Sequence, residues 1–279
     1  MSTDYRGVLR SVYAALVCLV VVSSPALAQY APQSVDNPAP GEAYHVEASA
    51  GFWSPGADMS ISSESLGIAG STIDFKNDLG MTDHRFGELH AVLKPTRRLK
   101  LRFEYIPINY TQTATLQRRI VFNGQAYAVG IPVSSTLDWK AYRFTYEYDV
   151  IVRSRGFGGI ILDAKYTDVT ARLKSAFTDE YAHAKAPIPA IGGIVRLYPT
   201  TNVSLTAELT GFSLEWLPNT LIKKDTGHFV DFDTYTTVNF NRNLGAQMGY
   251  RSFDLGYLVS KDSGNFTLNG LYFGAVVRY

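Results

Sequence analysis

Cysteine is all but missing from this chain of 279 residues: Cys18 is the only one, and it falls in a segment expected to be removed. The mature chain then holds no disulfide, no thiolate zinc site and no cysteine nucleophile. An excess of one charge is missing too. The formal net charge is +1, and loss of Asp4, Arg6 and Arg10 with the first 28 residues brings it to zero. That balance argues against nucleic acid as a partner and against a polybasic lipid-binding role. Long apolar runs are scarce. Hydrophobic residues make up 46% of the chain, but after the first run they come in short alternating pieces, so no second segment approaches a membrane-spanning helix.

The first run belongs to the amino terminus. Arg6 and Arg10 form a positive region, Ser11 to Val22 is almost wholly apolar, and Ala26-Leu27-Ala28 gives an A-x-A cleavage site before Gln29. This is the layout of a secretory signal peptide, expected over residues 1–28. A lipoprotein signal ending at Cys18 fits less well. Val17 is bulky where a small residue is needed, and the apolar run continues past the cysteine. Residues 29–43 carry Pro32, Pro38 and Pro40 and read as a flexible Pro-rich lead-in. Residues 44–279 read as one domain.

The most informative stretch is the last, Leu271-Tyr-Phe-Gly-Ala-Val-Val-Arg-Tyr279. Leu271, Phe273, Ala275, Val277 and Tyr279 share one face of a strand, because strand side chains alternate. A chain that stops on such a strand resembles the small bacterial outer-membrane β-barrel (porin-like) proteins. The resemblance implies an all-β fold, an antiparallel transmembrane β-barrel in outer-membrane lipid. It also implies a terminal strand, Leu271 to Tyr279, that closes the barrel and is read by the barrel assembly machinery. Aromatics at 13%, with 18 Tyr and 15 Phe, suit the girdles of such barrels.

Alternation and turn residues predict ten strands: 44–53, 84–94, 99–110, 137–152, 157–169, 189–198, 203–214, 229–240, 244–258 and 266–279. Connections alternate in length. Residues 95–98, 153–156, 199–202 and 241–243 are tight turns, whereas 54–83, 111–136, 170–188, 215–228 and 259–265 are mostly longer. Short turns belong to the periplasm in this family, which puts both termini there and requires an even strand number. Residues 111–136 contain a hairpin around Asn123-Gly124, expected as an extracellular extension. If it entered the membrane the count would be twelve, and if another pair did not, eight.

Charged faces must point away from lipid, where an Arg or Lys would cost about 2–4 kcal/mol. The lumen network is therefore expected to comprise Glu47, Glu88, Arg102, Glu104, Arg143, Glu147, Asp163, Lys165, Glu208, Asp231, Asp233, Arg251 and Arg278. His90, Lys100, Asp149 and Arg196 are expected beside them. Interleaved signs in a narrow barrel predict ion pairs and a largely filled lumen rather than a wide pore. In the ninth strand Met248 and Tyr250 differ in parity from Phe253, Leu255 and Tyr257. One extra residue near Arg251-Ser252 would restore the pattern, so a β-bulge is expected there.

Catalytic patterns are thin. No histidine lies in a local His-x-Ser motif like those of outer-membrane lipid hydrolases. Outer-membrane aspartyl proteases pair two aspartates with an Asp-x-His element at the rim. Asp231-Phe-Asp233 with His228 is the best candidate pair, but the second element is missing, and Asp83-His84 is adjacent and points to opposite faces. His45, Glu47, Glu88 and His90 could face one another across two strands as metal ligands, although hydrogen-bonded lumen residues are the simpler reading. Arg155-Gly156-Phe-Gly158-Gly159 is Gly-rich without matching a phosphate loop. The reading is a non-enzymatic barrel with no cofactor, structural or surface-binding. A narrow passive channel is the alternative and a hydrolase the third choice. Loops 54–83 and 111–136 are the expected recognition surfaces.

Overall fold

A computed structural model describes residues 39–62, 70–216, 225–259 and 262–279. The expected leader, the lead-in up to residue 38, and parts of the loops at 63–69, 217–224 and 260–261 lie outside the described residues. The chain forms β1 (Val46–Ser62), β2 (Ile73–Asp74), β3 (Phe86–Leu93), β4 (Leu99–Thr115), β5 (Ile120–Phe122), β6 (Gln125–Tyr127), β7 (Pro132–Arg153), β8 (Gly156–Lys174), β9 (Asp179–Thr200), β10 (Val203–Ser213), β11 (Thr226–Asn239), β12 (Leu244–Val259) and β13 (Asp262–Arg278). Ten of these close an antiparallel barrel, with β2 appended to β1 and β5–β6 forming a separate hairpin. The closing pair is β1 with β13, in register from Glu47 opposite Arg278 to Ser62 opposite Ser263.

Neighbouring strands are joined by short turns at one end; at the other, the connections 63–85, 116–131 and 214–225 are long, but those expected at 170–188 and 259–265 shrink to 175–178 and 260–261 because their strands extend. The strands run well past their expected limits at the long-loop end, where β7 begins at Pro132 and β9 at Asp179. β7 has 22 residues, about twice what a tilted strand needs to cross a bilayer. The Asn123-Gly124 turn has φ of 50° and 79°, as a tight hairpin requires, and β5–β6 stays out of the wall.

Two polarity patterns share each long strand. On the lower part of β7, Phe144, Tyr146, Tyr148 and Val150 face outward and exposed, while Arg143, Thr145, Glu147 and Asp149 are buried inside. Above Ala141 the pattern inverts: Ser134, Thr136, Asp138 and Lys140 point outward, and Val133, Leu137 and Trp139 point in. The same inversion occurs on β4 between Glu104 and Ile106. It also accounts for β12. Pairing runs unbroken through Arg251 on both sides, so no bulge lies at Arg251-Ser252. Phe253 turns inward because the interior becomes apolar there, not because a residue has been inserted. Register shifts occur instead between Asp149 and Ile151 and between Val203 and Leu205, both at the short-turn end.

Around the lower circumference the exposed outer residues are apolar, from Phe52 and Leu89 through Phe144, Ile191, Leu209 and Phe232 to Met248 and Phe273. A continuous uncovered belt of this kind is suited to hydrocarbon rather than water.

Candidate functional site: the filled lumen

The lumen has a charged lower storey and an apolar upper one. Below, Arg102 spans Glu147 at 3.1 Å and Glu208 at 2.7 Å. Arg143 meets Glu208 and Asp163, the latter at 2.7 Å, and lies 3.7 Å from Glu104 and 3.8 Å from Asp231. Lys165 holds Asp231 at 2.5 Å, and Arg251 joins Asp231 at 2.8 Å to Glu104. Lys100 ties Glu147 at 2.6 Å to Asp149 at 2.9 Å. Nine of the expected network residues thus form one continuous set: Arg102, Glu104, Arg143, Glu147, Asp163, Lys165, Glu208, Asp231 and Arg251.

The other four face the lumen in smaller groups. Glu47 pairs with Arg278 at 2.5 Å nearer the short-turn mouth. Glu88 lies 3.6 Å from His90, whose second nitrogen is 3.6 Å from Glu104. Asp233 accepts the Tyr272 hydroxyl at 2.8 Å. Gly249 makes that contact possible, since a Cβ there would stand 2.5 Å from the Tyr272 ring.

Above, Trp139 packs edge-on against Phe253 at 5.2 Å and Phe266 at 5.7 Å, and Phe229 against Phe253 at 5.0 Å. Cation–π contacts join the storeys, with Lys165 4.3 Å from the Phe229 ring and Arg251 5.8 Å from Trp53. The long connections supply the rest of this upper core. Ile73, Phe75, Leu79 and Met81 pack into it, as do Ile120, Phe122 and Tyr127 of the hairpin. Arg118 clasps Asp78 at 2.6 and 2.5 Å, tying the two segments together. Burial would raise the Asp78 carboxyl, but the hydrogen bonds from Arg118 and from the Asp74 amide outweigh it and hold the pKa low. The interior voids among the described residues are small: about 30 Å³ between the storeys, about 40 Å³ among the charges and about 10 Å³ beside Ile73 and Phe122.

The short-turn mouth is stopped by the end of the lead-in. Pro40–Glu42 makes one 3-10 turn at this mouth. The Glu42 carboxylate receives Lys94 at 2.9 Å, Arg196 at 2.9 Å and the Tyr198 hydroxyl at 2.8 Å. Burial alone would raise its pKa, but the charges of Arg196, Lys94 and Lys100 prevail and hold it well below the usual carboxylate range. Pattern reading missed this anchor because a carboxylate in a Pro-rich segment has no periodicity to reveal it. The outward polar run on β7 above Ala141 was the signal that could have revealed the apolar storey.

The candidate catalytic and metal groups do not assemble. Asp231 and Asp233 lie inside the barrel on engaged carboxylates, whereas His228 is on the outer face, 2.8 Å from Asp254. Residue parity separates them, since 228 is an even step from neither aspartate. His45 is exposed and Glu47 is held by Arg278, so neither joins Glu88 and His90. Among the described residues no serine hydroxyl bonds a histidine. Gly156 and Gly158 sit at the start of β8 with no helix behind them.

No family model and no curated protein matches the chain. Solved structures do. The outer membrane protease OmpT from Escherichia coli superposes with a TM-score of 0.55 at 5% identity, covering 84% of this chain and 96% of that one. The fold is that of the outer-membrane β-barrels. Two further barrels match at lower scores. They are the Pseudomonas putida toluene transporter TodX (TM-score 0.35, 9% identity, 88% of this chain and 93% of that one) and Ail, the attachment invasion locus protein of Yersinia pestis (0.33, 9%, 82% and 97%). At 5% identity the likeness to OmpT is one of fold alone, and no activity is carried across.

Proposed function

We propose that this outer-membrane barrel is a non-enzymatic scaffold, closed by its own side chains, that presents the extended strands and long connections as a surface-binding platform. Both termini and the short turns face the periplasm in this reading. The single observation that carries it is the filled lumen. Paired charges span the lower interior, aromatic and aliphatic side chains the upper, and the voids of about 30 and 40 Å³ have room for only a few waters each. A passive channel would need a continuous wet path lined by groups free to exchange with an ion. A hydrolase would need a nucleophile or base within reach of an open cleft, and the interior carboxylates are engaged by Arg, Lys, His or Tyr.

Conductance of the refolded protein in a planar bilayer tests this reading. Protein shown to be folded by heat-modifiable gel mobility should give no stable steps. Regular steps, with ion selectivity altered by Arg143→Ala, would replace the scaffold with a channel.

A further inference from the structure

The cations at the two ends of this barrel differ in their partners. At the long-loop end Lys76, Arg118, Arg172, Lys174 and Lys185 each face an aspartate, while Arg85 donates to the Ser54 hydroxyl and Arg119 and Lys140 lack a carboxylate among the described residues. The tight turns at the other end carry Arg97, Arg98, Arg153, Arg155 and Arg242, and among the described residues none of these five pairs with a carboxylate. Arg98 is half-buried and donates to the Val150 carbonyl at 3.3 Å, while the other four are exposed. Zero net charge argues against a polybasic tail, but it does not prevent one rim from carrying cations without paired carboxylates.

These arginines stand at the edge of the apolar belt. Arg98 directly precedes Leu99, Arg153 lies two residues beyond the exposed Ile151, and Arg242 falls between the exposed Phe240 and Leu244. At about 3.3 Å per residue they are within roughly 7 Å of the last lipid-facing side chain. That depth is the headgroup layer. A pocket of about 490 Å³ opens between two of the turns, with Arg97, Thr96, Arg153 and Ser154 at its edge and Tyr44 and Phe157 in its wall. Of its carboxylates, Glu42 is held by Lys94 and Arg196, Asp149 meets Lys100 through Oδ2 while its Oδ1 has no partner among the described residues, and one oxygen of the Tyr279 terminus accepts the His45 and Val46 amides. The exposed groups at its edge, Thr96, Arg97, Arg153 and Ser154, are cationic or hydroxyl donors, the set that recognises a phosphodiester.

We infer that the short-turn rim, where Arg97 and Arg153 edge this pocket, binds the anionic headgroup of a phospholipid in the adjoining leaflet. The inference rests on the reading that the belt lies in a membrane. It adds a specific lipid contact that a barrel with a neutral rim would lack.

The test titrates the full-length mature barrel, refolded in zwitterionic micelles, with short-chain phosphatidylglycerol and, separately, phosphatidylcholine of the same chain length. Affinity would be read from the shift in thermal midpoint. Phosphatidylglycerol should bind about tenfold tighter or more, and Arg97→Gln/Arg153→Gln/Arg155→Gln should abolish that preference. The corresponding lysine variant should keep most of it, and Arg172→Gln/Lys174→Gln/Lys185→Gln at the other end should leave it unchanged. Equal binding of the two lipids, or an undiminished preference in the triple glutamine variant, overturns the inference. Equal displacement by inorganic phosphate at the same concentration would overturn the lipid as its partner. Failure of the wild-type protein to insert into vesicles, read by heat-modifiable mobility, would instead sink the membrane reading beneath it.

Discussion

Arg143 of β7 donates to Glu208 of β10 across the lumen, although β8 and β9 stand between their strands in the wall. Glu208 also receives Arg102, so one buried carboxylate holds two guanidinium groups from β4 and β7. Glu208→Ala would leave both cations short of a partner in a space with almost no water. The expected loss is about 3–5 kcal/mol, read from urea unfolding in lipid vesicles. Replacing Arg143 and Glu208 together by Met and Leu should cost far less, because the desolvation of both charges is then also avoided. Equal losses in the single and double variants would mean that the pair does not act as a unit.

Phe253 separates the two accounts of β12. A bulge at Arg251-Ser252 would place it against lipid, whereas continuous pairing places it against Trp139 and Phe229. Phe253→Ala should then cost about 3–5 kcal/mol, the range for an aromatic removed from a packed core. Phe273, exposed on the belt, is the control. Its alanine variant should lose much less, and equal losses at both positions would return Phe253 to the outer face.

Ten strands, their pairing and the inward charges were legible because they follow from a two-residue period and from the cost of a charge in lipid. Glu147 and Asp163 needed nothing more. The upper storey was hidden by the assumption that one polarity rule holds along a whole strand. Where β7 leaves the apolar belt at Lys140, water replaces lipid outside, and the inner face can then be apolar as in a soluble barrel. Leu137 and Trp139 follow that second rule. The role of Glu42 was illegible for a different reason: it depends on Lys94, Arg196 and Tyr198, which only tertiary structure brings together.

Glu42 supplies a pH dependence whose sign is fixed. Its carboxyl is held below its ordinary value of 4.5 in the folded barrel, so the unfolded chain binds the proton more readily. The stabilisation is complete above that ordinary value and is lost as the pH falls below it. At neutral pH, Glu42→Gln should lower stability by about 2–4 kcal/mol, since Arg196 and Lys94 lose their shared counter-charge. The gap between wild type and variant, followed by urea midpoints, should close on acidification below 4.5. A gap that stays constant with pH would show that packing of the Pro40–Glu42 turn, rather than charge, seals this mouth.

Thr136 and Phe144 point outward on the same face of β7, eight residues apart, and the polarity inversion puts only Phe144 in lipid. Arginine at a lipid-facing barrel position costs about 2–4 kcal/mol near the bilayer midplane and about 0–1 near the interfaces. Phe144→Arg should therefore approach the larger figure, and Thr136→Arg should change stability by less than about 0.5 kcal/mol, as at an ordinary wet surface. Stability would be compared by urea titration in vesicles, where the bilayer supplies the penalty. The same variants in a micelle that wraps the whole strand would blur the contrast, so the vesicle is the deciding medium. If both substitutions cost alike there, the membrane extends above Lys140. The inverted face of β7 would then lie in lipid, with Asp138 and Lys140 exposed to it, which the charge penalty makes untenable for a stable barrel.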